Sequence, residues 1–167
     1  MAWEKNENSL DWNKVKVEIR KAGPEDLSAI VGLARELSKS ESAMDPMVTP
    51  VSRFQDPAWI LKNIEKDNAA VFVATFNGEV VGYVLGWVSQ PWDYKSERGY
   101  ICDCFVRENY RRRGVGKALC QEILKWFRSR NVNCVEVDIY ADNVASIELF
   151  RSLGFKEVAK KFRFTFK

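Results

Sequence analysis

A stretch rich in arginine and glycine in the second half of the chain constrains the fold more than any other feature. Residues 100–106 are apolar and rich in β-forming side chains, three arginines and two glycines follow, and an amphipathic helix pattern begins at about Gly116. The helix pattern rests on apolar residues at i, i+4, i+8, i+11 and i+12, namely Val115, Leu119, Ile123, Trp126 and Phe127. The stretch therefore predicts a strand, a loop and a helix, in that order.

The loop between this strand and this helix has the composition of an anion-binding site. Gly114 and Gly116 let a ligand approach the backbone closely, and the free N–H groups at the start of a helix attract negative charge. We therefore expect a pyrophosphate to bind here, although a solvated basic loop or a nucleic-acid patch would also be rich in arginine. The residues predicted to hold the anion are Arg111, Arg112, Arg113, Gly114, Val115, Gly116 and Lys117.

Two segments of the chain together resemble a known family. The spacing Arg111-x-x-Gly114-x-Gly116 resembles the coenzyme A loop of the GNAT superfamily of N-acetyltransferases, which has Gln or Arg, then Gly, then Gly or Ala at these positions. Residues 143–155 resemble the family's N-x-x-A-x-x-L-Y-x-x-x-G-F helix. The resemblance covers residues 15–167.

The resemblance implies a fold and a cosubstrate. The fold is α/β or α+β, with a mixed central sheet flanked by helices and two central strands, 100–106 and 134–140, that splay apart. The cosubstrate is acetyl-CoA, whose pantetheine arm pairs with the exposed edge of the first of these strands. A backbone N–H of Phe105 or Val106 would stabilise the oxyanion. The other implied cofactor contacts are Asn143, Ser146 and Phe150, and Asn143 could instead cap its own helix.

The remaining elements are predicted from apolar periodicity and turn residues. In chain order they are a strand at 15–20, a helix at 24–37, a loop at 40–55, a helix from 56, strands at 70–76 and 79–89, and a last strand at 155–166. The dipeptide Asn77-Gly78 predicts a tight hairpin, because both positions tolerate positive φ. By pattern alone, this order of elements belongs to the α/β or α+β class.

Size and charge distribution bound the function. A chain of 167 residues, 46% of them hydrophobic, suits one globular domain, which we place at 15–167 after an N-terminal arm at 1–14. No apolar run approaches the roughly 18 residues of a membrane span and the N-terminus lacks a signal pattern, so we expect a cytoplasmic protein. Residues 107–167 hold 14 Lys and Arg against 7 Asp and Glu, whereas residues 1–106 hold 12 against 16. This asymmetry suits an anionic cosubstrate and a cationic acceptor, although chance clustering would look the same.

The cysteines and the absence of histidine exclude several kinds of site. The spacing of Cys102, Cys104, Cys120 and Cys134 does not form a disulfide framework, so we expect reduced thiols. Cys102 and Cys104 are predicted on one face of a strand, but two thiols without any histidine make a poor zinc site, and we expect no metal. Without histidine there is also no Ser-His or Cys-His nucleophile.

Asp103 is the predicted general base if the ligand is acetyl-CoA. An amine with an unperturbed pKa of about 10.4 is less than about 0.1% neutral at pH 7, so the protein must deprotonate it. Asp103 is predicted on the same strand face as Ile101 and Phe105, where a carboxylate is costly without a partner or a role. The alternative is a structural ion pair, for instance with Arg98.

The general acid departs from the family pattern. The tyrosine of the family's helix is Phe150 in this chain, so its phenol is missing. A thiol with a pKa of about 8.5 that leaves at pH 7 lacks about 1.5 pK units, or roughly 2 kcal/mol, which weakens catalysis without abolishing it. Either Tyr140, at the end of the neighbouring strand, or water is predicted to take over as acid.

Aromatic and acidic residues outside the arginine loop are candidates for acceptor binding. Trp87, Trp92 and Tyr94 lie around the loop before the central strand, where they could hold a cation over their rings or serve only in packing. Glu41 and Asp45, in the predicted 40–55 loop, form the other expected wall of an acceptor site.

The sequence thus favours an acetyl-CoA-dependent N-acetyltransferase that acts on a primary amine of a small molecule or of a protein, with no nucleic-acid or membrane partner. A homodimer is compatible with the chain. One alternative is a catalytically weak regulatory module that binds acyl-CoA, and another is a nucleic-acid-binding protein that uses Arg111–Arg113.

Overall fold

The computed structural model describes residues 17–49 and 55–166, which form one sheet with helices on both faces. The strands are β1 (Glu18–Lys21), β2 (Ala69–Phe76), β3 (Glu79–Ser89), β4 (Arg98–Val106) and β5 (Val135–Val137). The helices are α1 (Leu27–Met44), α2 (Pro57–Glu65), α3 (Val115–Ser129) and α4 (Val144–Ser152), with 3-10 turns at Pro24–Asp26 and Glu108–Tyr110. The predicted N-terminal arm, residues 1–14, lies outside the described residues.

The sheet is mixed, and its two central strands separate. Its order is β1-β2-β3-β4-β5, with antiparallel pairing from β1 to β4 and parallel pairing between β4 and β5. The last pair meets only where Gly99–Ile101 lie beside Val135–Val137, while β4 continues to Val106. The predicted splay and the fold class are therefore confirmed. Beyond Ile101, the side of β4 that faces β5 makes no strand pairing in the described part of the chain.

Two hydrophobic clusters hold the helices against the sheet. One cluster joins α1 and α2 to the sheet and includes the fully buried Leu33, Ile60 and Tyr83. The other lies under α3, whose predicted apolar face is buried at Val115, Leu119, Ile123 and Phe127, with Trp126 packed at its margin. Burying one such side chain stabilises the fold by about 1.5–3 kcal/mol. The spacing that predicted α3 therefore also determines which face anchors it.

The hairpin and helix-start predictions are confirmed. Asn77 and Gly78, between β2 and β3, have φ angles of 49° and 83°, as a tight hairpin turn requires. Asp56 caps α2 by accepting a hydrogen bond from the backbone N–H of Ala58 at 3.0 Å. Local turn and cap chemistry was therefore sufficient to place these two junctions.

The loop predicted to begin at Ser40 begins later, because α1 continues to Met44. Two serines in this part of the helix bond back to its carbonyls: Ser40 Oγ donates to the Glu36 carbonyl and Ser42 Oγ to the Lys39 carbonyl, each at 3.1 Å. As a consequence, Glu41 is carried by a helix and not by a loop, which fixes its direction relative to the sheet.

The strand predicted at 155–166 does not form. In the described part of the chain these residues pair with no strand of the sheet, and the alternating Phe162, Phe164 and Phe166 are exposed. Their segment is held instead by Arg163, which makes a two-pronged ion pair with Asp45 at 2.7 Å. Alternation predicts which side chains share a face of a strand, but it does not supply the neighbouring strand. The predicted strand at 134–140 is likewise shortened to β5.

No helix in the described ranges combines the length and the apolar composition that crossing a membrane would need.

Candidate active site

The start of α3 offers an open, backbone-lined cradle. Gly114 precedes the helix in the left-handed region, with φ 79°, and a Cβ built on it would meet no atom within 4 Å. The first N–H groups of α3 have no carbonyl of a preceding turn to bind, so they are available to a ligand and lie at the positive end of the helix dipole. Open space and free backbone N–H groups are what the predicted anion site needs, and the binding of a pyrophosphate here stays a prediction.

The second glycine of the loop has a different role. A Cβ on Gly116 would lie 3.4 Å from Leu149 Cδ2 and 3.8 Å from Val106 Cγ2, which are ordinary packing distances. Gly116 thus lies within the first turn of α3 where that turn packs on α4 and β4. Its small size serves contact between elements, whereas Gly114 supplies the turn and the open space.

The arginines of the loop contact the protein in different ways. Arg111 Nε donates to the Val106 carbonyl at 2.7 Å, and its guanidinium lies 5.1 Å from the centre of the Phe105 ring. Arg112, with φ 60°, lies 3.8 Å from Glu148 on the surface. Lys117, in the first turn of α3, is exposed. Arg111 is therefore fixed at the end of β4, with its terminal N–H groups still able to bind an anion.

The backbone of Val106, and not that of Phe105, faces the opening between β4 and β5. Arg107 N–H donates to the Val81 carbonyl at 2.9 Å, which makes Gly82 and Val106 a pair without hydrogen bonds between them. The N–H and carbonyl of Val106 therefore point away from β3, whereas those of Phe105 point toward it. Of the two predicted oxyanion donors, only the N–H of Val106 has a suitable direction, and Phe105 is corrected to a packing residue.

Asp103 is buried beside a tyrosine that the sequence argument missed. Tyr83 Oη donates to Asp103 Oδ2 at 2.8 Å, and Cys102 Sγ lies 3.3 Å from Oδ1. Burial raises the pKa of the Asp103 carboxyl, and these two donors partly oppose the rise. The expected alternative, an ion pair with Arg98, does not form, because Arg98 pairs with Glu136. The missed signal was a tyrosine hydroxyl within the apolar interior of β3.

A bulge in β4 changes which side chains share a face. The pairing shifts between Leu85 and Gly86, so Cys102 is the extra residue on β4 and points to the same side as Asp103. Ile101 therefore packs in the α3 cluster, on the opposite face from Asp103, and the expected common face is wrong for this residue. The expected common face of Cys102 and Cys104 is wrong for the same reason.

Four titratable groups influence one another near the end of α1. Burial raises the pKa of Glu41, and the negative charge of Asp103 raises it further. Burial also raises the pKa of Tyr140, to which the charges of Glu41 and Asp45 contribute. We call Glu41, Asp45, Asp103 and Tyr140 the acidic cluster. Glu41 thus interacts electrostatically both with the predicted base, Asp103, and with the predicted acid, Tyr140.

The predicted cofactor contacts on α4 have local roles. Asn143 Oδ1 accepts from the Ser146 backbone N–H at 3.2 Å, so Asn143 caps the helix as the local alternative proposed. Phe150 is 4% exposed and packs edge-on against Phe155 with ring centres 5.1 Å apart. The Phe150 side chain therefore belongs to the core and has almost no surface for a ligand, which corrects its assignment as a cofactor contact.

The three aromatic residues predicted to bind the acceptor do not converge. Trp87 stacks against Tyr100, with ring centres 5.3 Å apart. Tyr94 Oη donates to Glu136 at 2.8 Å, and Arg98 lies 4.3 Å from the centre of the Tyr94 ring. Trp92 is 97% exposed. Trp87 and Tyr94 therefore have packing or hydrogen-bonding roles at the beginning of β4.

Comparisons with known proteins agree with this geometry. The sequence profile described as "Acetyltransferase (GNAT) family" matches residues 34–155. An N-alpha-acetyltransferase of Sulfurisphaera tokodaii is 32% identical over 109 residues, which are 60% of this chain and 64% of that protein. An N-alpha-acetyltransferase of Sulfolobus acidocaldarius is 28% identical over 87% of this chain and 83% of that protein. The match thus spans less than two thirds of the first of these relatives.

Solved structures share the fold at lower sequence identity. A protein of Bacillus halodurans has a TM-score of 0.80 at 17% identity, covering 90% of this chain and 99% of that one. An aminoglycoside N-acetyltransferase in complex with CoA has a TM-score of 0.69 at 20% identity, covering 95% and 99%. The family profile matches well over half of the chain, and the splayed sheet and the cradle before α3 are those expected from the resemblance. The chain therefore belongs to the acetyltransferase (GNAT) family.

Proposed function

We infer that the protein is an N-acetyltransferase that transfers an acetyl group from acetyl-CoA to a primary amine of a small molecule or of a protein. The observation that carries this inference is the adjacency of two features: the open cradle at Gly114 and the Val106 N–H that points away from β3. Arg111 joins them, because its Nε donates to the Val106 carbonyl. One feature suits a pyrophosphate and the other suits an amide-bearing arm and a developing negative charge. A regulatory module that only binds acyl-CoA would need the first feature but not the acidic cluster.

The bound acetyl-CoA supplies a thioester, and the chain's own residues handle charge and protons. In the reaction, a C–N bond forms, the C–S bond breaks, the amine loses a proton and the departing sulfur gains one. The Val106 N–H is directed to the opening, where it can donate to the acyl oxygen as negative charge develops. This backbone donor is independent of any side chain at that position.

The acidic cluster supports a role in receiving a cationic amine and removing its proton. The carboxylates of Glu41 and Asp103 interact electrostatically, and their negative charge favours a positively charged acceptor over a neutral or anionic one. Burial makes Asp103 a stronger base than a solvated aspartate, because its protonated form is favoured. Tyr140, whose phenol stays protonated because its pKa is raised, is proposed to protonate the thiolate.

The names of the relatives support two acceptor classes. The archaeal relatives are called N-alpha-acetyltransferases, and a structural neighbour is an aminoglycoside N-acetyltransferase. Both names describe amine acceptors, and the acidic cluster suits either a protein N-terminus or a polycationic small molecule. A homodimer also remains part of the proposal.

An assay of CoA release with a panel of amines tests the function. We expect CoA release that depends on both acetyl-CoA and a cationic amine. Binding of acetyl-CoA without any release of CoA would support the regulatory module instead. The matched pair Gly114→Leu and Gly78→Leu isolates the cradle. Both glycines have positive φ and open space around the missing Cβ, so both variants carry similar backbone strain of about 1–3 kcal/mol.

Only Gly114→Leu should lose CoA binding, because only its side chain would enter the cradle. For the wild type, CoA at a hundredfold excess over Kd should raise the free energy of unfolding by about 2.7 kcal/mol. This gain should persist in Gly78→Leu and disappear in Gly114→Leu. Equal gains in both variants would contradict the assignment of the cradle.

A further inference from the structure

Two cysteines on different elements face each other in the strand–loop–helix unit that carries the cradle. Cys104 lies on β4 and Cys120 lies on α3, and their sulfur atoms are 3.5 Å apart. The bulge that turns Cys102 toward the side of Asp103 leaves Cys104 directed at α3, where it packs beside the α3 cluster. The contact joins two thiols, because the cysteines of this chain form no disulfide in the structure, which describes all four of them.

The positions of this pair along the chain enclose the proposed cofactor site. Cys104 comes two residues before Val106, and Cys120 lies in the second turn of α3, which begins after Gly114. A bond between the two sulfur atoms would therefore close a ring that contains the Val106 N–H, Arg111 and the cradle. A cross-link at this place acts directly on the residues proposed to hold acetyl-CoA.

The two thiols differ in exposure. Cys120 is fully buried, whereas Cys104 is half-buried on the stretch of β4 that, in the described ranges, has no strand pairing on the β5 side. The hydrogen-bonding contact with Cys120 and, after it, burial raise the pKa of the Cys104 thiol, so the pair reacts slowly and stays reduced until an oxidant reaches it. A small oxidant can meet Cys104 first, with Cys120 already in contact to complete the reaction.

We propose that Cys104 and Cys120 form a reversible disulfide under oxidation, and that this disulfide weakens the binding of acetyl-CoA. The effect on binding rests on the proposed function, whereas the formation of the bond does not. The pair is thus a modification site through which an oxidant acts on the cofactor cradle.

The chemistry of the step balances with hydrogen peroxide as the oxidant. The Cys104 sulfur attacks one peroxide oxygen, the O–O bond breaks, and a sulfenic acid and one water form. The Cys120 sulfur then attacks the Cys104 sulfur and displaces its hydroxyl group, which leaves as a second water. The two thiols lose two electrons and two protons, and the peroxide gains them. A dithiol reductant reverses the step by thiol–disulfide exchange.

Forming the bond displaces β4 relative to α3. A covalent bond requires the two sulfur atoms to approach by roughly 1.5 Å from their present 3.5 Å. Cys120 is fixed in a close-packed helix face beside the fully buried Leu119 and Ile123. Beyond Ile101, by contrast, β4 is paired only with β3 in the part of the chain that the structure describes. We therefore expect β4 to move, and the Val106 backbone with it.

A displacement of β4 reaches the anion site through Arg111. The Val106 carbonyl accepts from Arg111 Nε at 2.7 Å, so the guanidinium follows the strand. The first turn of α3 also packs on this end of β4, since a Cβ on Gly116 would lie 3.8 Å from Val106 Cγ2. A misplacement of about 1 Å can reduce catalysis by about 10²-fold, and we expect CoA affinity to fall by at least about tenfold.

Peptide mass spectrometry tests the bond. In a Cys134→Ser background, which removes the exposed thiol, peroxide should join the tryptic peptides 99–107 and 118–125, and dithiothreitol should separate them. Cys102→Ser is the matched control: Cys102 is in the same peptide but on the other side of β4, so the link should persist. Cys104→Ala and Cys120→Ala should each abolish the link. Peptides that stay unlinked, or a link that is lost in Cys102→Ser, would overturn the proposal.

Calorimetric titration with CoA tests the effect on the cradle. The reduced protein should bind CoA at least about tenfold more tightly than the peroxide-treated protein, and dithiothreitol should restore the affinity. Peroxide should leave the affinity of Cys104→Ala unchanged, and Cys120→Ala provides the same comparison if the first variant does not fold. Equal affinities of the reduced and the oxidised protein would overturn the proposal.

Amide signals in NMR spectra separate a failure of this proposal from a failure of the proposed function. Oxidation should shift the N–H signals of Val106 and Gly114 whether or not CoA binds, and it should leave Gly78, in the hairpin between β2 and β3, unchanged. If the reduced protein binds no CoA, the proposed function fails, while linked peptides and shifted signals still support the cross-link. Linked peptides with an unshifted Val106 signal would overturn the displacement of β4.

Discussion

Tyr83 on β3 donates a hydrogen bond to Asp103 on β4 at 2.8 Å, and both side chains are almost completely buried. The pair lies on the α1 face of the sheet, a few residues before β4 reaches the cradle. Removing either partner leaves the other without its hydrogen bond in a place that water does not reach. The pair therefore links the stability of the sheet to the protonation of the proposed base.

Asp103→Asn should lower activity and raise stability at neutral pH. The folded-state pKa of Asp103 is raised above the ordinary 3.8, so the ionised carboxylate makes folding less favourable as pH rises through that folded-state value. Asparagine keeps an oxygen for Tyr83 and has no charge to bury. The stability gain of the variant should grow from pH 4 to pH 8 in thermal melts. Loss of a general base should reduce kcat by about 10²-fold or more.

If Asp103→Asn keeps the wild-type kcat from pH 4 to pH 8, then the Asp103 carboxylate has a structural role and is not the general base. Unchanged CoA binding in the same variant serves as the control, since the cradle at Gly114 lies at the other end of the loop. An equal loss of CoA binding would instead indicate a general disturbance of β4.

Tyr83→Phe should shift the pH dependence of kcat/KM along the pH axis and not only lower its maximum. The Tyr83 hydrogen bond lowers the pKa of Asp103 against the larger effect of burial, so its removal raises that pKa further. A base with a higher pKa becomes deprotonated at higher pH. In a plot of kcat/KM against pH, the acidic limb should therefore shift toward higher pH. Assays in a series of buffers across this pH range measure the shift. An unchanged limb with reduced kcat would contradict a link through Asp103.

Tyr140→Phe should reduce kcat at least tenfold if Tyr140 protonates the departing thiolate. Its matched counterpart is Phe150→Tyr, which restores the phenol of the family pattern. Because Phe150 is 4% exposed and packed on Phe155, the added hydroxyl should cost about 1–3 kcal/mol of stability without raising kcat. Full activity in Tyr140→Phe would mean that water protonates the thiolate. A higher kcat in Phe150→Tyr than in the wild type would mean that the ring at position 150 can leave the core.

The pKa of Asp45 reports the position of the C-terminal segment, residues 155–166. The Arg163 guanidinium lowers the pKa of Asp45 to about 2 in the single chain, so the pair's contribution to stability is present above the ordinary 3.8 and lost as pH falls through about 2. Carbon NMR of the Asp45 carboxyl should give this low value in the wild type. Arg163→Ala should return the pKa of Asp45 toward 3.8. A pKa near 3.8 in the wild type would contradict the ion pair.

The sequence predicted what depends on local spacing. The periodicity from Val115 to Phe127 identified α3 and its buried face, and Gly114 was correctly placed at a backbone turn before it. The cap at Asp56 and the turn at Asn77 follow from side-chain chemistry within a few residues. Each of these features is determined by neighbours along the chain, so no knowledge of the sheet was needed.

The errors came from contacts between distant segments. Strict alternation placed Ile101 beside Asp103, but Gly86 brings β3 so close to β4 that a Cβ on Gly86 would lie 2.6 Å from the Tyr100 carbonyl, and the bulge at Cys102 follows at this point. Tyr83 was missed because its partner is on another strand. Phe150 was assigned by motif position, which does not report whether a side chain faces a ligand or the core.

The separation of β4 from β5 has a consequence for the solubility of the free protein. A strand border with unsatisfied backbone groups normally invites edge-to-edge aggregation, and proteins block such borders with charges or bulges. Here the unsatisfied groups of β4 lie inside the sheet, where β5 is attached alongside and Arg111 already occupies the Val106 carbonyl. A foreign strand would have to displace β5 to reach them, whereas a slender, flexible ligand arm can enter between the two strands. The fold thus keeps backbone N–H groups of β4 available to a ligand without exposing them to edge-to-edge aggregation with another chain.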